Sequence, residues 1–323
     1  EGIFGVPVDV SSSLIILFTI YGAFLQYSGA GKFFIDFSMA LMGNKVNSAG
    51  RTVVLSSFLL GGPSGSGVAT TVTIGAVAYP MMQRAGFEKN AAGGLLAAGG
   101  LGAIISPPVL GAAAFLIAEF LKISYLDVLL MAVVPTLLYY LALFVMVEID
   151  ARKYGMGNVI FDKVDTVWHL TKHYWFHFLS LVSIVVFMLW GFSPVLSVFY
   201  ATVVSFFTSF LRRDCALISY DLFQGRGSIR EHVFGSPFVK AMQGGSIGVL
   251  NVAATCAGAG IIVGVVTLTG LGLKFSSIVI DYAGGSLLLT AVFTSLVVWI
   301  VGLAVPVTAS YIICAVIAAP ALI

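Results

Sequence analysis

The chain has 323 residues, of which 59% are hydrophobic and only 9% are charged, with a formal net charge of +2. Soluble domains carry about 25% charged residues, so this composition excludes an ordinary soluble enzyme and predicts a polytopic membrane protein. We expect the lipid bilayer, and no nucleic acid, as a partner. The chain has no initiator methionine and stops within an apolar run, so we also expect it to be part of a longer protein.

Residues 1–147 are predicted to form the first half of an inverted repeat. They contain a spanning stretch at 8–30 and an apolar stretch at about 48–82 that is too long for one span. The glycine-rich sequence GGPSGSG breaks the second stretch at its middle. Lipid tolerates non-helical backbone only where it is buried in protein or lines a cavity. We therefore expect a re-entrant hairpin of two half-helices.

Further breaks follow along the chain. The stretch at about 91–121 is interrupted by Ser106-Pro107-Pro108, where two prolines end a helix. After a span at 126–147, residues 148–240 are read as polar linkers flanking a helical hairpin at 174–211. Residues 241–323 are read as the start of the second half, truncated within a second hairpin at about 287–323 that breaks at 302–310. The predicted fold is all-α, with inverted repeats, two re-entrant hairpins and discontinuous helices.

The positions of the basic residues support this layout. If both hairpins are re-entrant, 14 of the 16 lysines and arginines fall on one side, and Lys122 and Lys274 on the other. A true crossing at 48–82 would divide the positive charges between the two sides. Cytoplasmic loops carry the excess of Lys and Arg. We therefore expect the first hairpin to open to the cytoplasm and the second to the outside.

The three breaks are candidate binding sites. Transporters built from inverted repeats place discontinuous helices at the membrane midplane, where half-helix N-termini face anions and unwound carbonyls coordinate sodium. The alternative is that the glycines only pack helices and the hydroxyls bond their own helix. No Arg, Lys or His lies within the predicted cores of these segments, so an anionic substrate would be held by helix dipoles, hydroxyls and bound cations. The hydroxyls beside the breaks are those of Ser64, Ser66, Thr70, Thr71, Thr73, Ser106, Thr308 and Ser310.

Other signals indicate competing functions. Gly62-Pro63-Ser64-Gly65 matches the GxSG motif of intramembrane serine proteases, but such an enzyme needs a nearby general base, usually histidine. All four histidines fall in or beside the predicted linkers, so we predict that the chain is not an enzyme. Asn251, in the second-half core, is either a bond between helices or a substrate or ion contact. The histidines are His169, His173, His177 and His232.

The spacing of three histidines is compatible with a metal site. His169, His173 and His177 share one helical face, yet their neighbours Trp168, Tyr174 and Trp175 favour an interfacial helix with an aromatic belt. The three cysteines lack metal-ligand spacing and are predicted to be small buried hydrophobes. We expect no cofactor and no metal beyond sodium ions.

Several motifs, in order, resemble those of the large membrane subunit of tripartite ATP-independent periplasmic (TRAP) transporters, most closely the TAXI-type branch, often a fused permease. The motifs are SGSGVATTVTIG from Ser64, PMMQRAGF, SPPVLGAAAFLIAEFL from Ser106, CAGAGIIVGVVTLTGLG from Cys256 and VPVTASYIICAVIAAPAL from Val305. The resemblance covers nearly the whole chain. Pro63 and Thr70 depart from the residues usual in the family.

The resemblance implies an elevator mechanism in which sodium is cotransported with a small organic acid across the cytoplasmic membrane of a bacterium or archaeon. It also implies an extracytoplasmic solute-binding protein and a small TRAP membrane subunit, separate or fused. The alternative is an elevator-type dicarboxylate or anion transporter that needs no binding protein. Cation binding is expected from Ser64, Gly65, Ser66, Ser106, Pro107, Val305, Pro306 and Thr308. Substrate binding is expected from Thr70, Thr73, Asn251 and Ser310.

Overall fold

The computed structural model describes residues 2–43, 47–155, 165–218, 234–303 and 305–322. Within these ranges every regular element is a helix, which confirms the all-α prediction. The helices are α1 (Val6–Tyr27), α2 (Ala30–Met42), α3 (Ser48–Ser64), α4 (Gly67–Arg84), α5 (Lys89–Gly102), α6 (Ala112–Leu121), α7 (Tyr125–Tyr154), α8 (Val167–Tyr174), α9 (Phe176–Leu189), α10 (Pro194–Ser209), α11 (Pro237–Thr269), α12 (Leu271–Tyr282), α13 (Leu287–Gly302) and α14 (Val307–Ile317). Parts of the two predicted linkers, with Lys163, Arg226, Arg230 and His232, lie outside the described residues, as does Lys45.

Helices α1, α7 and α11 are long and apolar enough to cross a membrane. Helix α1 includes one π-helical turn at Ser11–Ile15. Helices α8 and α9 meet the same test as a pair, bent by 61° at Trp175. Because a bilayer core of about 30 Å needs roughly 20 apolar helical residues, these lengths support a multi-pass membrane protein.

The helices end where the sequence predicted breaks. Gly65 and Ser66 separate α3 from α4, residues 103–111 separate α5 from α6, and residues 303–306 separate α13 from α14. Ala304, within the third break, lies outside the described residues. That the two hairpins re-enter the membrane, and that the ranges 1–147, 148–240 and 241–323 mark repeat halves and linkers, stay predictions.

Contacts divide the chain into two units, each built from separate segments. The first unit contains Glu1–Ile16, Ala112–Lys122 and Ile247–Ile323, and the second contains Leu17–Gly111 and Ile123–Ser246. Helices α1 and α11 each contribute residues to both. The two arms of the broken stretch, α5 and α6, therefore belong to different units.

The second unit holds the glycine-rich tip and the break at Ser106. Helices α3, α4 and α5 pack against one another, and α7 packs on α3 and α5. Tyr140 and Val147 of α7 are buried against Val54 of α3, with Phe58 beside them. A second cluster joins α1 to the start of α11 through Phe24, Leu217 and Phe238. Apolar burial of this kind fixes the helices around the tip.

In the first unit, α14 packs against α6, α12 and α13. The rings of Phe120 on α6 and Tyr311 on α14 stack with their centroids 6.2 Å apart. Gly272 of α12 approaches the main chain of α14 so closely that an added Cβ would lie 2.9 Å from the carbonyl oxygen of Val316. At the end of α6, Lys122 and Glu119 form the ion pair that their three-residue spacing predicts.

Candidate functional site

The tip of the first hairpin is a two-residue break. Gly65 has φ +55° and ψ 4°, the left-handed conformation that favours glycine, and its N–H donates to the carbonyl oxygen of Gly61 at 3.1 Å. Ser66 is extended and caps α4, its hydroxyl accepting a hydrogen bond from the N–H of Ala69 at 3.3 Å. The tip thus ends one half-helix and starts the next within two residues.

The break after α5 lies directly against this tip. The N–H of Val109 donates to the carbonyl oxygen of Gly62 at 3.2 Å. A Cβ atom added at Gly61 would lie 2.7 Å from the Cα of Ala103, and one added at Gly62 would lie 2.8 Å from the carbonyl oxygen of Pro107. Glycine at both positions is therefore required for the main chains to approach.

Several carbonyl oxygens of the break face the tip. Those of Leu110 and Val109 lie 3.3 and 3.7 Å from the position that a Cβ would take at Gly65, and that of Pro107 faces Gly62. In transporters built from inverted repeats, the carbonyl groups of unwound segments coordinate sodium. The tip and the break together thus bring several main-chain oxygens into one region of the second unit.

A row of hydroxyl groups on α7 holds the break in place. The Thr136 hydroxyl donates to the carbonyl oxygen of Ile105 at 2.6 Å, and the N–H of Leu110 donates to the Tyr125 hydroxyl at 3.1 Å. The Ser106 hydroxyl is fully buried, donates to the carbonyl oxygen of Gly102 at 2.7 Å and lies 3.1 Å from the hydroxyl oxygen of Tyr140. These bonds satisfy polar groups that the missing helical turn leaves without partners.

The sequence contains a signal for this row that our sequence reasoning missed. Tyr125, Thr136 and Tyr140 are spaced by eleven and four residues, which places them on one face of a helix. On an otherwise apolar span, three hydroxyls on one face indicate a polar neighbour. Arg51 and Glu148 were missed as well: the Arg51 Nε donates to the Glu148 carboxylate at 2.7 Å and ties the start of α3 to α7.

The structure brings together most of the residues predicted for the first cation site. Gly65, Ser106 and Pro107 lie in the tip and the break, and Ser66 is exposed at the start of α4. Ser64 is the last residue of α3, but its side chain lies outside the described part of the chain. The cation role of these residues stays a prediction.

The predicted substrate residues Thr70 and Thr73 lie beside α1. They line a small cavity with Gly22 and Gln26 of α1, and the Gln26 amide donates to the Thr73 hydroxyl at 3.4 Å. Thr70 is buried, and the accessible space of about 10 Å³ has room for no more than one water molecule. By contrast, Thr71 faces α5, where its hydroxyl lies 3.4 Å from the carbonyl oxygen of Leu96.

The predicted second site lies in the first unit. Pro306 caps α14, and the Ser310 hydroxyl donates to the carbonyl oxygen of Val305 at 3.1 Å, so this hydroxyl serves the break itself. Thr308 is half-buried in the first turn of α14, directly after the break. Asn251 is exposed on α11, and its role in substrate binding stays a prediction. The exposed position follows from a span whose neighbours leave much of its surface uncovered.

Three of the four histidines and all three cysteines lie in the described part of the structure. Within the described residues, no group of three or more His, Cys, Asp or Glu is placed to hold a metal. His177 is buried and stacks on Phe33, whereas the rings of His169 and His173 are tilted against each other along α8 with centroids 4.0 Å apart. All three cysteines are buried and free, as predicted, and burial raises the pKa of the Cys215 thiol to about 11.

Apolar spanning helices and helix breaks are features of a polytopic membrane protein, and discontinuous helices of this kind are typical of secondary transporters. The sequence model of the family "Tripartite ATP-independent periplasmic transporter, DctM component" matches residues 3–323. The chain therefore belongs to this family of TRAP transporter large permeases, which confirms the resemblance. Its place in the TAXI-type or fused branch stays a prediction.

Curated relatives carry the same family name. The chain is 36% identical over 109 residues to the 2,3-diketo-L-gulonate TRAP transporter large permease of Escherichia coli (strain K12), covering 34% of this chain and 26% of the relative. It is 35% identical over 91 residues to the C4-dicarboxylate TRAP transporter large permease of Rhodobacter capsulatus, covering 28% and 21%. A putative large permease of Haemophilus influenzae is 28% identical over 197 residues, covering 59% and 45%.

The chain spans less than half the length of each of these relatives. The family is one of transporter permeases and not of enzymes, in agreement with the prediction against a serine protease. Family membership also supports a membrane location.

Proposed function

We propose that the protein to which this chain belongs cotransports sodium and a small organic acid across the cytoplasmic membrane of a bacterium or archaeon. The observation that carries the proposal is the contact between the tip at Gly62–Gly65 and the break at Ser106–Leu110. There, the carbonyl oxygens of Pro107, Val109 and Leu110 lie within 4 Å of the positions that Cβ atoms would take at Gly62 and Gly65, and the N–H of Val109 donates to the carbonyl oxygen of Gly62. Such an arrangement suits a desolvated alkali cation, which needs several oxygen ligands.

In this proposal the first cation site uses Gly65 and Ser66 of the tip, with Ser64 before them, and Ser106 and Pro107 of the break. The α7 hydroxyls support this first site, because they hold the main chain of the break through Ile105 and Leu110. A second site would use Val305, Pro306 and Thr308 of the other break. Each site places its oxygen ligands at a helix end, where the main chain is free to turn toward an ion.

An acidic substrate fits the same arrangement. Helix α4 begins at the tip, and a helix N-terminus attracts negative charge through its N–H groups and dipole. A bound cation beside it would strengthen this attraction, so coupling follows from the electrostatics. Candidate substrate contacts are Thr70, Thr73, Asn251 and Ser310. Relatives named for C4-dicarboxylate and 2,3-diketo-L-gulonate transport favour a small carboxylate.

Partners follow from the family. We propose that an extracytoplasmic solute-binding protein delivers the substrate and that a small TRAP membrane subunit, separate or fused, completes the transporter. An elevator-type transporter that works without a binding protein is the alternative. It predicts that uptake by the complete permease is the same with and without the binding protein.

The test is uptake into proteoliposomes that contain the complete permease and its small subunit, with the binding protein added outside. A panel of labelled carboxylates is offered under an inward sodium gradient, with potassium replacing sodium in the matched control. We expect uptake of at least one carboxylate that requires both sodium and the binding protein. Equal uptake with potassium on both sides would contradict sodium coupling.

A further inference from the structure

Tyr125, the first residue of α7, has a fixed position beside the break. Its side chain is buried, and its ring packs on that of Phe18 with the centroids 5.6 Å apart. The start of α7 is capped by Ser124, whose hydroxyl accepts a hydrogen bond from the N–H of Asp127 at 3.1 Å and donates to the Asp127 carboxylate at 2.6 Å. Packing and capping therefore fix where the Tyr125 hydroxyl lies.

The Tyr125 hydroxyl sets the direction of one peptide group of the break. It accepts a hydrogen bond from the N–H of Leu110 at 3.1 Å. In a trans peptide group, the N–H of one residue and the carbonyl of the residue before it lie in one plane and point in opposite directions. Because the Leu110 N–H is held toward α7, the carbonyl oxygen of Val109 is turned the other way. That oxygen lies 3.7 Å from the position that a Cβ would take at Gly65 of the tip.

The next peptide group repeats this arrangement without a side chain. The N–H of Gly111 donates to the carbonyl oxygen of Ile104 at 2.7 Å, which closes the break into a loop. The carbonyl oxygen of Leu110, at the opposite edge of that peptide group, lies 3.3 Å from the same Cβ position at Gly65. Two successive carbonyl oxygens thus face the tip, because the N–H groups of their peptide groups are bonded on the far side.

We propose that Tyr125 is a positioning residue of the sodium site, because it holds the carbonyl oxygen of Val109 toward the tip. This inference rests on the proposed function. Without the hydroxyl, the peptide group between Val109 and Leu110 loses the bond that fixes its orientation. Sodium would then bind more weakly, since binding would also have to order this ligand. A hydroxyl that only stabilised the fold would act equally whichever cation is present.

The test is Tyr125→Phe in the complete permease, which removes the hydroxyl and keeps the ring against Phe18. In proteoliposomes this variant should raise the sodium concentration needed for half-maximal uptake by about fivefold, the usual effect of losing one hydrogen bond. At saturating sodium, uptake should return to the rate of the unchanged protein. In detergent without substrate, the difference in Tm between sodium chloride and potassium chloride at equal ionic strength should shrink.

Tyr139→Phe is the matched control on the same helix. The Tyr139 hydroxyl donates to the carbonyl oxygen of Ala98 at 2.7 Å, within α5 and before the break, so its loss leaves the carbonyl oxygens at the tip in place. This variant should keep the sodium dependence and the Tm difference of the unchanged protein. A second variant carries 3-fluorotyrosine at position 125, whose hydroxyl oxygen is a weaker acceptor. It should raise the half-maximal sodium concentration less than Tyr125→Phe does, and it replaces that variant should Tyr125→Phe fail to fold.

Two results would overturn the assignment of Tyr125. One is an unchanged half-maximal sodium concentration in both Tyr125 variants, and the other is an equal change in Tyr139→Phe. A loss of Tm that is the same in the two salts would show that the hydroxyl only stabilises the fold, which also overturns the assignment. If uptake and Tm of the unchanged protein do not depend on sodium, the proposed function itself is contradicted.

Discussion

The N–H of Val109 donates a hydrogen bond to the carbonyl oxygen of Gly62, joining the break after α5 to the tip between α3 and α4 through main chain alone. Side chains play no part in this bond, so its geometry depends on how closely the two backbones approach. That approach is set by the missing side chains at Gly61 and Gly62. The tip and the break therefore depend on each other, and a substitution in either should affect both.

Gly62→Ala should disrupt this contact. The added methyl group would lie 2.8 Å from the carbonyl oxygen of Pro107 and 3.2 Å from the Cδ of Pro108, and neither is the flexible end of a side chain. We expect a loss of about 1–3 kcal/mol in stability, the usual range for overpacking, and a marked loss of uptake. Thermal unfolding of the complete permease and proteoliposome uptake measure the two effects.

Gly94→Ala is the matched control for that substitution. Gly94 is exposed within α5, and an added Cβ meets nothing within 4 Å. Alanine is favoured over glycine in a helix by about 1 kcal/mol, so this variant should be as stable as the unchanged protein or slightly more so. If both variants lost the same stability, the close approach at Gly62 would not be the cause.

Ser106→Ala and Ser66→Ala should raise the sodium concentration needed for half-maximal uptake. Ser106 is anchored at the break by its bond to Gly102 and its contact with Tyr140, and Ser66 caps α4. Loss of either hydroxyl should remove about 1 kcal/mol of hydrogen-bond stabilisation, which corresponds to about a fivefold change in the half-maximal sodium concentration. Tyr140→Phe should produce a smaller change of the same sign. Unchanged sodium dependence in both serine variants would remove these residues from the site.

The Arg51–Glu148 pair should be more strongly coupled than Lys122–Glu119. The Arg51 and Glu148 side chains are 31% and 33% exposed, whereas Lys122 and Glu119 are 76% and 42% exposed. Partly desolvated pairs couple better than exposed ones, for which about 0–1 kcal/mol is usual. A double-mutant cycle on each pair, followed by thermal unfolding, measures the coupling. Equal coupling in the two cycles would show that burial does not strengthen the first pair.

The Asp214 carboxylate should make stability depend on pH at acidic values. Burial acts to raise its pKa, but the hydrogen bonds from Tyr174 and Arg212 outweigh burial and hold the pKa of Asp214 below its ordinary value of 3.8. Because the folded-state pKa is the lower one, the stabilisation is complete above the unfolded-state value and disappears as the pH falls through the folded-state value. The Tm difference between the unchanged protein and Asp214→Asn should therefore shrink below about pH 4. A difference that stays constant down to pH 3 would contradict this ionisation.

The positions of the breaks could be predicted from sequence because their causes are local. Glycines at 61–67 and the Ser106-Pro107-Pro108 run weaken or end helices wherever they stand. The all-α class could also be predicted, because it follows from the apolar composition. The exposed position of Asn251 could not be predicted, because a single sequence does not show which face of a glycine-rich span is covered.

The supporting contacts of the site could not be predicted, because they join distant parts of the chain. Thr136 and Ile105 are 31 residues apart, and Arg51 and Glu148 are 97 apart. The hydroxyl spacing on α7 indicates a polar face but not its partner. In the same way, Thr70 and Thr71 are adjacent in sequence yet face α1 and α5, and only the packing of α4 decides which faces which.

Sodium-specific stabilisation tests the proposed cation site most directly. The complete permease in detergent is unfolded thermally in sodium chloride and in potassium chloride at equal ionic strength, with no substrate present. A site that binds sodium only in the folded protein should raise stability by up to about 2.7 kcal/mol when sodium is at 100 times its Kd. Gly62→Ala should abolish this difference while Gly94→Ala keeps it. The same Tm in both salts would contradict a sodium site at the tip and the break.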